Sequence, residues 1–222
     1  MSTPARPSAV VFDLDGLMFN TEELYQLVCR EMLRRRGKEF EPALLDMMMG
    51  RPARNAFQVM IDWHKLTETI PDLAAESSEI FAEILVTRLA PMPGLFELLT
   101  ALERAGIPKA VATSSGRKFV TEVLGRFELE PRFQFLLCSE DVTDGKPNPE
   151  IYLKAARRLE RPPAEVLVLE DSHNGCKAAI AAGAFAVAVP GGHSRTHDFT
   201  GAQFVADSLG DLRIYQSLNI AR

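Results

Sequence analysis

The sequence predicts an α/β protein: a Rossmann-like parallel sheet with helices on both faces, plus an inserted all-helical domain. Three observations lead to this prediction. The apolar run Val10-Val11-Phe12 is typical of a strand buried on both faces. After residue 91, short apolar runs alternate with helical patterns, which is the order of βαβ units. Between residues 20 and 90 the pattern is helical, with no clear strand.

In the first part of the chain, the sequence predicts a short lead-in over residues 1–8 and a strand over residues 9–14. From Thr21 onward apolar residues recur at helical spacing, and the first helix closes at Arg34-Arg35-Arg36-Gly37. About four helices are expected before Pro91-Met92-Pro93-Gly94, where the pattern breaks. We therefore expect an α/β core domain of residues 1–19 and 91–222 and a helical cap domain of residues 20–90.

Helices and strands alternate beyond this break. Helices are predicted over 95–105, 119–127, 149–159 and 175–182, and strands over 109–112, 135–137, 166–169 and 185–189. In open α/β sheets of this kind, ligands bind beyond the carboxyl ends of the strands.

Composition excludes several classes of function. A chain of 222 residues that is 46% hydrophobic and 25% charged is an ordinary globular protein. Its net charge of −5 argues against nucleic acid or an anionic membrane as the main partner. Neither a membrane-spanning stretch nor a signal-peptide core is visible. Three scattered cysteines suggest neither a disulfide framework nor a thiolate metal site, so a cytoplasmic protein is expected.

Polar residues follow the predicted strands at one edge of the sheet. They are Asp13 and Asp15 after the first strand, Thr113-Ser114 after the second, and Glu170-Asp171 after the strand over 166–169. Lys146 lies in a Gly-Lys-Pro-Asn-Pro turn before a helix. Hard oxygen ligands of this kind suit Mg²⁺, and a carboxylate beside Mg²⁺ and a lysine can attack a phosphoryl group. The alternatives are a solvated turn at Asp13 and Asp15, or a structural ion pair between Asp13 and Lys146.

Four segments resemble, in order, the four motifs of the haloacid dehalogenase superfamily. They are Asp13-Leu14-Asp15-Gly16, Thr113-Ser114, Lys146-Pro147 and Leu169-Glu170-Asp171-Ser172. The resemblance spans Val10 to about Asp211, includes a helical cap, and is closest to the phosphatase and β-phosphoglucomutase branch.

The resemblance implies a role for each residue. Asp13 would be the nucleophile, and Asp15 the general acid and then the general base. Thr113 and the Ser114 backbone N–H would hold phosphoryl oxygens, and Lys146 would offset negative charge. Mg²⁺ would be held by Asp13, the Asp15 backbone carbonyl and Asp171, with Glu170 binding directly or through water.

The cap would close over the strand ends and choose the substrate. Within Gly50-Arg51-Pro52-Ala53-Arg54, Arg54 falls at the family position for an arginine that contacts a substrate phosphate, and Arg51 is nearby. Surface arginines without this role are the alternative. Asn20 replaces an aspartate found in much of the branch, and Tyr25 stands where the mutases carry a histidine.

The sequence thus predicts a monomeric, Mg²⁺-dependent phosphatase that acts on a small phosphorylated metabolite such as a sugar phosphate, through an aspartyl-phosphate. A phosphosugar mutase is the alternative, and Tyr25 argues against it. Dehalogenases of the superfamily lack the second acid, so Asp15 argues against carbon–halogen chemistry. A signalling receiver domain, phosphorylated without turnover, is a third possibility, although receivers are shorter and lack a cap.

Overall fold

The computed structural model describes residues 6–48, 53–192 and 194–222. Strands β1 to β6 are Ala9–Phe12, Lys109–Ala112, Leu136–Leu137, Val166–Glu170, Phe185–Ala188 and Phe204–Val205. Helices α1 to α9 are Thr21–Arg34, Pro42–Met48, Ala53–His64, Ile70–Arg88, Leu95–Arg104, Arg117–Gly125, Glu150–Arg158, His173–Ala181 and Leu212–Leu218.

The strands form a parallel sheet in the order β3-β2-β1-β4-β5-β6. Strand β1 lies in the interior, with Val11 level with Ala110 of β2 on one side and with Val168 of β4 on the other. Parallel neighbours need crossover connections, and the helices of the second part of the chain supply them. The predicted α/β class with a Rossmann-like parallel sheet is confirmed.

Both faces of the sheet are covered. On one face, Val11 and Val168 pack with Ala155 of α7 and Ala179 of α8. The residues that alternate with these, such as Val10, are equally inaccessible to solvent on the other face. Burial on both faces explains why β1 and β4 are continuous apolar runs rather than alternating ones.

The chain divides into two compact units, one of residues 1–19 and 91–222 and one of residues 20–90. In the second unit α1 packs against α4, and α2 against α3. Thr69 and Asp72 form a reciprocal capping box at the start of α4. The description of these units as core and cap stays a prediction. Among the described residues, no helix combines the length and the apolar character that a membrane span requires.

Asn20 joins the two ends of the helical unit. Its Oδ1 accepts a hydrogen bond from the Ala90 backbone N–H at 2.8 Å, and its Nδ2 donates to the Arg88 carbonyl at 3.2 Å. An ionised aspartate could accept the first bond but could not donate the second. The Asn20 amide therefore both accepts and donates a hydrogen bond at the end of the helical unit, which the aspartate found in much of the branch could not do.

The structure departs from the prediction at the end of strand β1 and in two elements that the sequence analysis missed. Strand β1 ends at Phe12 rather than at residue 14, because the chain turns immediately after Asp13. Strand β6 and helix α9 were not predicted at all. A two-residue strand shows no alternation, and a seven-residue helix shows barely two turns of periodicity, so neither gives a usable signal.

The Glu103 ion-pair cluster leads to a pH-dependent prediction. Hydrogen bonds from Arg132, with a further contribution from Lys109, lower the pKa of Glu103 to about 2 from an ordinary value of 4.5. Because the folded-state pKa is depressed, the stabilisation is present above pH 4.5 and is lost as the pH falls toward 2. Solvent screens this partly exposed group, so we expect at most about 1 kcal/mol at neutral pH.

The measurement is urea unfolding of wild type and Glu103→Gln between pH 7 and pH 2.5. The difference in unfolding free energy should shrink steadily as the pH falls below the ordinary glutamate value. A difference that stays constant over this range would contradict the prediction.

Candidate active site

Asp13 and Asp15 occupy the turn that follows the central strand β1. Asp13 is only 6% exposed, and its backbone N–H donates to the Leu169 carbonyl of β4 at 3.0 Å. Gly16 then adopts a positive φ of 74°, which a residue with a side chain rarely tolerates. This conformation lets the chain reverse direction, and the turn leaves both acids at the carboxyl end of the sheet.

The ammonium group of Lys146 binds residues at the carboxyl ends of three neighbouring strands. Its Nζ donates to Asp13 Oδ1 at 2.5 Å, to Glu170 Oε1 at 2.6 Å and to the Ala112 carbonyl at 2.9 Å. These three bonds use all the protons of the ammonium group. Burial alone would lower the pKa of Lys146, but the charges of Asp13 and Glu170 outweigh it and raise that pKa above its usual value. The side chain is therefore a cation at neutral pH.

Glu170 is held by donors on both of its oxygens. Oε1 accepts from Lys146 Nζ and from the Tyr152 hydroxyl at 2.5 Å, and Oε2 accepts from the Ser172 hydroxyl at 3.0 Å. Ser172 also caps helix α8, since its Oγ accepts from the Gly175 N–H. The carboxylate is thus fixed between β4, α7 and the start of α8.

Asp13, Glu170 and Asp171 form a group of buried carboxylates whose oxygens lie within 4.8 Å of one another. Burial is the main cause that raises the pKa of Asp13, while Lys146 opposes it. Lys146 contacts two of these three carboxylates, Asp13 and Glu170, and a single ammonium leaves a desolvated excess of negative charge that needs a cation. Carboxylate oxygens are hard ligands of the kind that Mg²⁺ and Ca²⁺ prefer, so the donor set fits a divalent metal ion.

The side chain of Asp15 has surroundings of its own. Its Oδ2 accepts hydrogen bonds from the Ser115 hydroxyl at 2.5 Å and from Thr113 Oγ1 at 3.3 Å. Its Oδ1 is buried without a hydrogen-bond partner among the described residues. A carboxyl group held by one oxygen, with the other unengaged, is suited to carrying a proton to and from a ligand.

The other predicted residues are distributed between the two units. Thr113 is fully buried beside Asp15, and its Oγ1 also accepts from the Ser115 N–H at 3.1 Å. Ser114 is exposed and lines a cavity of about 140 Å³ together with Lys146. Arg54 is exposed at the start of α3, beside a cavity of about 680 Å³ in the helical unit. Arg51 lies outside the described residues.

Three residues of this cluster were missed in the sequence. Ser115 has the sequence surroundings of a turn or cap residue, although its hydroxyl binds Asp15. Tyr152 lies on the apolar face of α7 and could not be told from a core residue. Gly175 begins the helix predicted over 175–182, so its close approach to Glu170 gives no signal in the sequence.

The comparisons with known proteins agree with this geometry. A Thermotoga maritima protein, "Phosphorylated carbohydrates phosphatase", is 33% identical over 179 residues, covering 79% of this chain and 81% of that protein. The Arabidopsis thaliana "Bifunctional riboflavin kinase/FMN phosphatase" is 31% identical over 208 residues, covering 93% of this chain. The chain spans only 55% of the length of that second relative.

Solved structures share the fold. A crystal structure of a HAD family hydrolase from Deinococcus radiodurans R1, with bound phosphate and sodium, has a TM-score of 0.82 at 28% identity. The match covers 98% of this chain and 99% of that chain. The family described as "Haloacid dehalogenase-like hydrolase" matches residues 10–189, which include every predicted motif. On this evidence the chain belongs to the haloacid dehalogenase-like hydrolase family, as the motifs predicted.

Proposed function

We propose that this protein is a phosphoric monoester hydrolase that uses Mg²⁺ and cleaves a small sugar phosphate through an aspartyl-phosphate at Asp13. One observation carries the proposal: Lys146 Nζ bridges Asp13 and Glu170 within a buried carboxylate group that also contains Asp171. The names of the two phosphatase relatives support the reaction class, and that of the Thermotoga maritima relative supports a carbohydrate substrate.

In the first half of the reaction, an oxygen of Asp13 attacks the phosphorus and the bond to the leaving oxygen breaks. Asp15, protonated at this stage, gives its proton to that leaving oxygen. Lys146 stabilises the charge that builds up on the phosphoryl oxygens, and the Ser114 backbone N–H donates a hydrogen bond to them. The Thr113 hydroxyl has a single proton, which goes to Asp15 in the free protein and would turn to a phosphoryl oxygen when substrate binds.

In the second half, Asp15 accepts a proton from a water molecule whose oxygen attacks the phosphorus. The bond between phosphorus and Asp13 breaks, inorganic phosphate leaves, and both carboxyl groups return to their starting states. The hydroxyl groups of Ser115 and Thr113 on Asp15 Oδ2 support this role, because they orient the carboxyl group and leave Oδ1 for the proton.

Asp13, Asp171 and the Asp15 backbone carbonyl would hold the Mg²⁺ ion, with Glu170 binding it directly or through water. When bound, the ion supplies positive charge that offsets the carboxylates and polarises the phosphoryl oxygens. The buried carboxylate group supports this assignment, since its charge exceeds what Lys146 alone balances.

The test is phosphate release from an aryl phosphate and from a panel of sugar, glycolate and nucleotide phosphates, with Mg²⁺ or with EDTA. We expect release only with a divalent metal ion, and the highest kcat/KM on a sugar phosphate. Folded protein that releases no phosphate from any member of the panel would rule the proposal out.

Removal of one metal ligand gives a sharper prediction. Asp171→Asn should raise the Mg²⁺ concentration needed for half-maximal activity by about 10- to 100-fold, because an amide oxygen carries no charge for the ion. Asp207→Asn is the matched control, since Asp207 is exposed and lies outside the carboxylate group. Identical Mg²⁺ requirements in the two variants would contradict the metal site.

The same panel tests the mutase alternative. Tyr25 stacks on Phe81 within the helical unit, with ring centroids 4.5 Å apart, and offers no imidazole at that position. Conversion of β-glucose 1-phosphate to the 6-phosphate faster than phosphate release would favour the mutase.

The receiver alternative is tested by the lifetime of the intermediate: a phospho-Asp13 that persisted for minutes would favour a receiver. The cytoplasmic location, the monomeric state and the role of Arg54 stay predictions.

A further inference from the structure

Tyr152 is a buried tyrosine whose hydroxyl reaches the proposed metal site without touching solvent. It lies in the first turn of α7 and is 1% exposed. Its hydroxyl donates to Glu170 Oε1 at 2.5 Å, and its ring lies 5.0 Å from Lys146 Nζ. The segment that begins at Lys146 thus brings two donors to one carboxylate oxygen.

The hydrogen bonds of Glu170 show why the second donor matters. Lys146 and Tyr152 share Oε1, while Ser172 engages Oε2. Lys146 has no proton left over, because its other two bind Asp13 and the Ala112 carbonyl. A shift of Glu170 would therefore move the ammonium group relative to Asp13.

We propose that Tyr152 is a positioning residue: its hydroxyl fixes Glu170 so that Lys146 stays on Asp13 and the three carboxylates keep the spacing that a divalent metal ion needs. This inference rests on the proposed function for the identity of the ion and of the nucleophile. Tyr152 itself is too buried to contact a substrate, so it acts only through Glu170 and Lys146.

A second buried tyrosine provides a matched control. Tyr215 of α9 is 2% exposed, and its hydroxyl has no hydrogen-bond partner among the described residues. Removal of this hydroxyl takes away the same atom from a similarly buried ring, with no carboxylate attached to it. Tyr215→Phe therefore reports the effect of a lost buried hydroxyl alone.

The experiment compares wild type, Tyr152→Phe and Tyr215→Phe as full-length chains. Titration calorimetry without substrate gives the Mg²⁺ affinity of each protein. Steady-state assays on an aryl phosphate give kcat and KM, and thermal unfolding in EDTA gives the unfolding midpoint. For Tyr152→Phe we expect Mg²⁺ affinity and kcat each to fall by about 10- to 100-fold, the usual effect of losing a bond to a metal ligand. KM should change little, and Tyr215→Phe should match wild type in Mg²⁺ affinity and kcat.

The outcomes separate this inference from the proposed function. Equal Mg²⁺ affinities in the three proteins, or a wild type that binds no Mg²⁺, would overturn the role of Tyr152. A drop in Mg²⁺ affinity confined to Tyr152→Phe supports it, even if the wild type releases no phosphate and the proposed reaction therefore fails. A lowered unfolding midpoint with unchanged Mg²⁺ affinity and kcat would show that the hydroxyl is merely structural.

Discussion

Asp13→Asn should abolish phosphate release, with kcat falling by a factor on the order of 10⁶, the scale seen when an enzyme loses its nucleophile. An amide oxygen does not form the acyl-phosphate bond, and the side chain is too buried for another group to take its place. The measurement is single-turnover phosphate release at saturating Mg²⁺, together with mass spectrometry for a phosphorylated intermediate in the wild type.

The same variant should remain folded. Asparagine has the shape of aspartate, and Lys146 keeps its bonds to Glu170 and to the Ala112 carbonyl. We therefore expect the unfolding midpoint in EDTA to lie within a few degrees of wild type. Asp13→Glu is the companion variant: it keeps the charge but moves it by one methylene, which should still cost about 100-fold in kcat. Activity of Asp13→Asn within tenfold of wild type would refute the role of Asp13.

Gly175→Ala should destabilise the protein by about 1–3 kcal/mol, the usual cost of overpacking a tight interior. A Cβ atom at this position would lie 1.9 Å from Glu170 Cδ, far inside van der Waals contact. Glu170 has nowhere to retreat, because it is 1% exposed and both of its oxygens are hydrogen-bonded. Either the start of α8 or the carboxylate must move, so activity should fall as well.

Gly125→Ala is the control for this substitution. Gly125 is the last residue of α6, and a Cβ there would meet no atom within 4 Å. The change should be neutral or stabilising by about 0.4–1 kcal/mol, because alanine loses less backbone freedom on folding. Urea unfolding of both variants provides the measurement. Equal stability of the two alanine variants would show that the space around Gly175 is not limiting.

The parts of the fold that could be predicted are those whose residues repeat a pattern. Strands β1 and β4 are unbroken apolar runs that end directly in carboxylates, so both the strands and the acids that follow them were found. The rule that ligands bind at the carboxyl ends of parallel strands then predicted that Asp13 and Asp171 meet, and their oxygens do lie within 4.8 Å.

The contacts that could not be predicted join residues far apart along the chain, where no local sequence pattern reports them. Ser115 reaches Asp15 across 100 positions, and Tyr152 reaches Glu170 from a separate helix. A serine in a turn and a tyrosine on an apolar helix face each have an ordinary local explanation. Only the three-dimensional arrangement shows that these hydroxyl groups contact the carboxylates.

Strand β1, which leads to the proposed nucleophile Asp13, lies in the interior of the sheet and away from its two edge strands. The edge strands β3 and β6 are two residues long, so fraying there breaks few backbone hydrogen bonds. Asp13 follows a strand that is bonded to neighbours on both sides, and its own amide is engaged with β4. Its amide proton should therefore exchange with solvent only through global opening, long after those of the margins. The proposed activity would then be lost only when the whole sheet unfolds cooperatively, and not gradually as the edge strands fray.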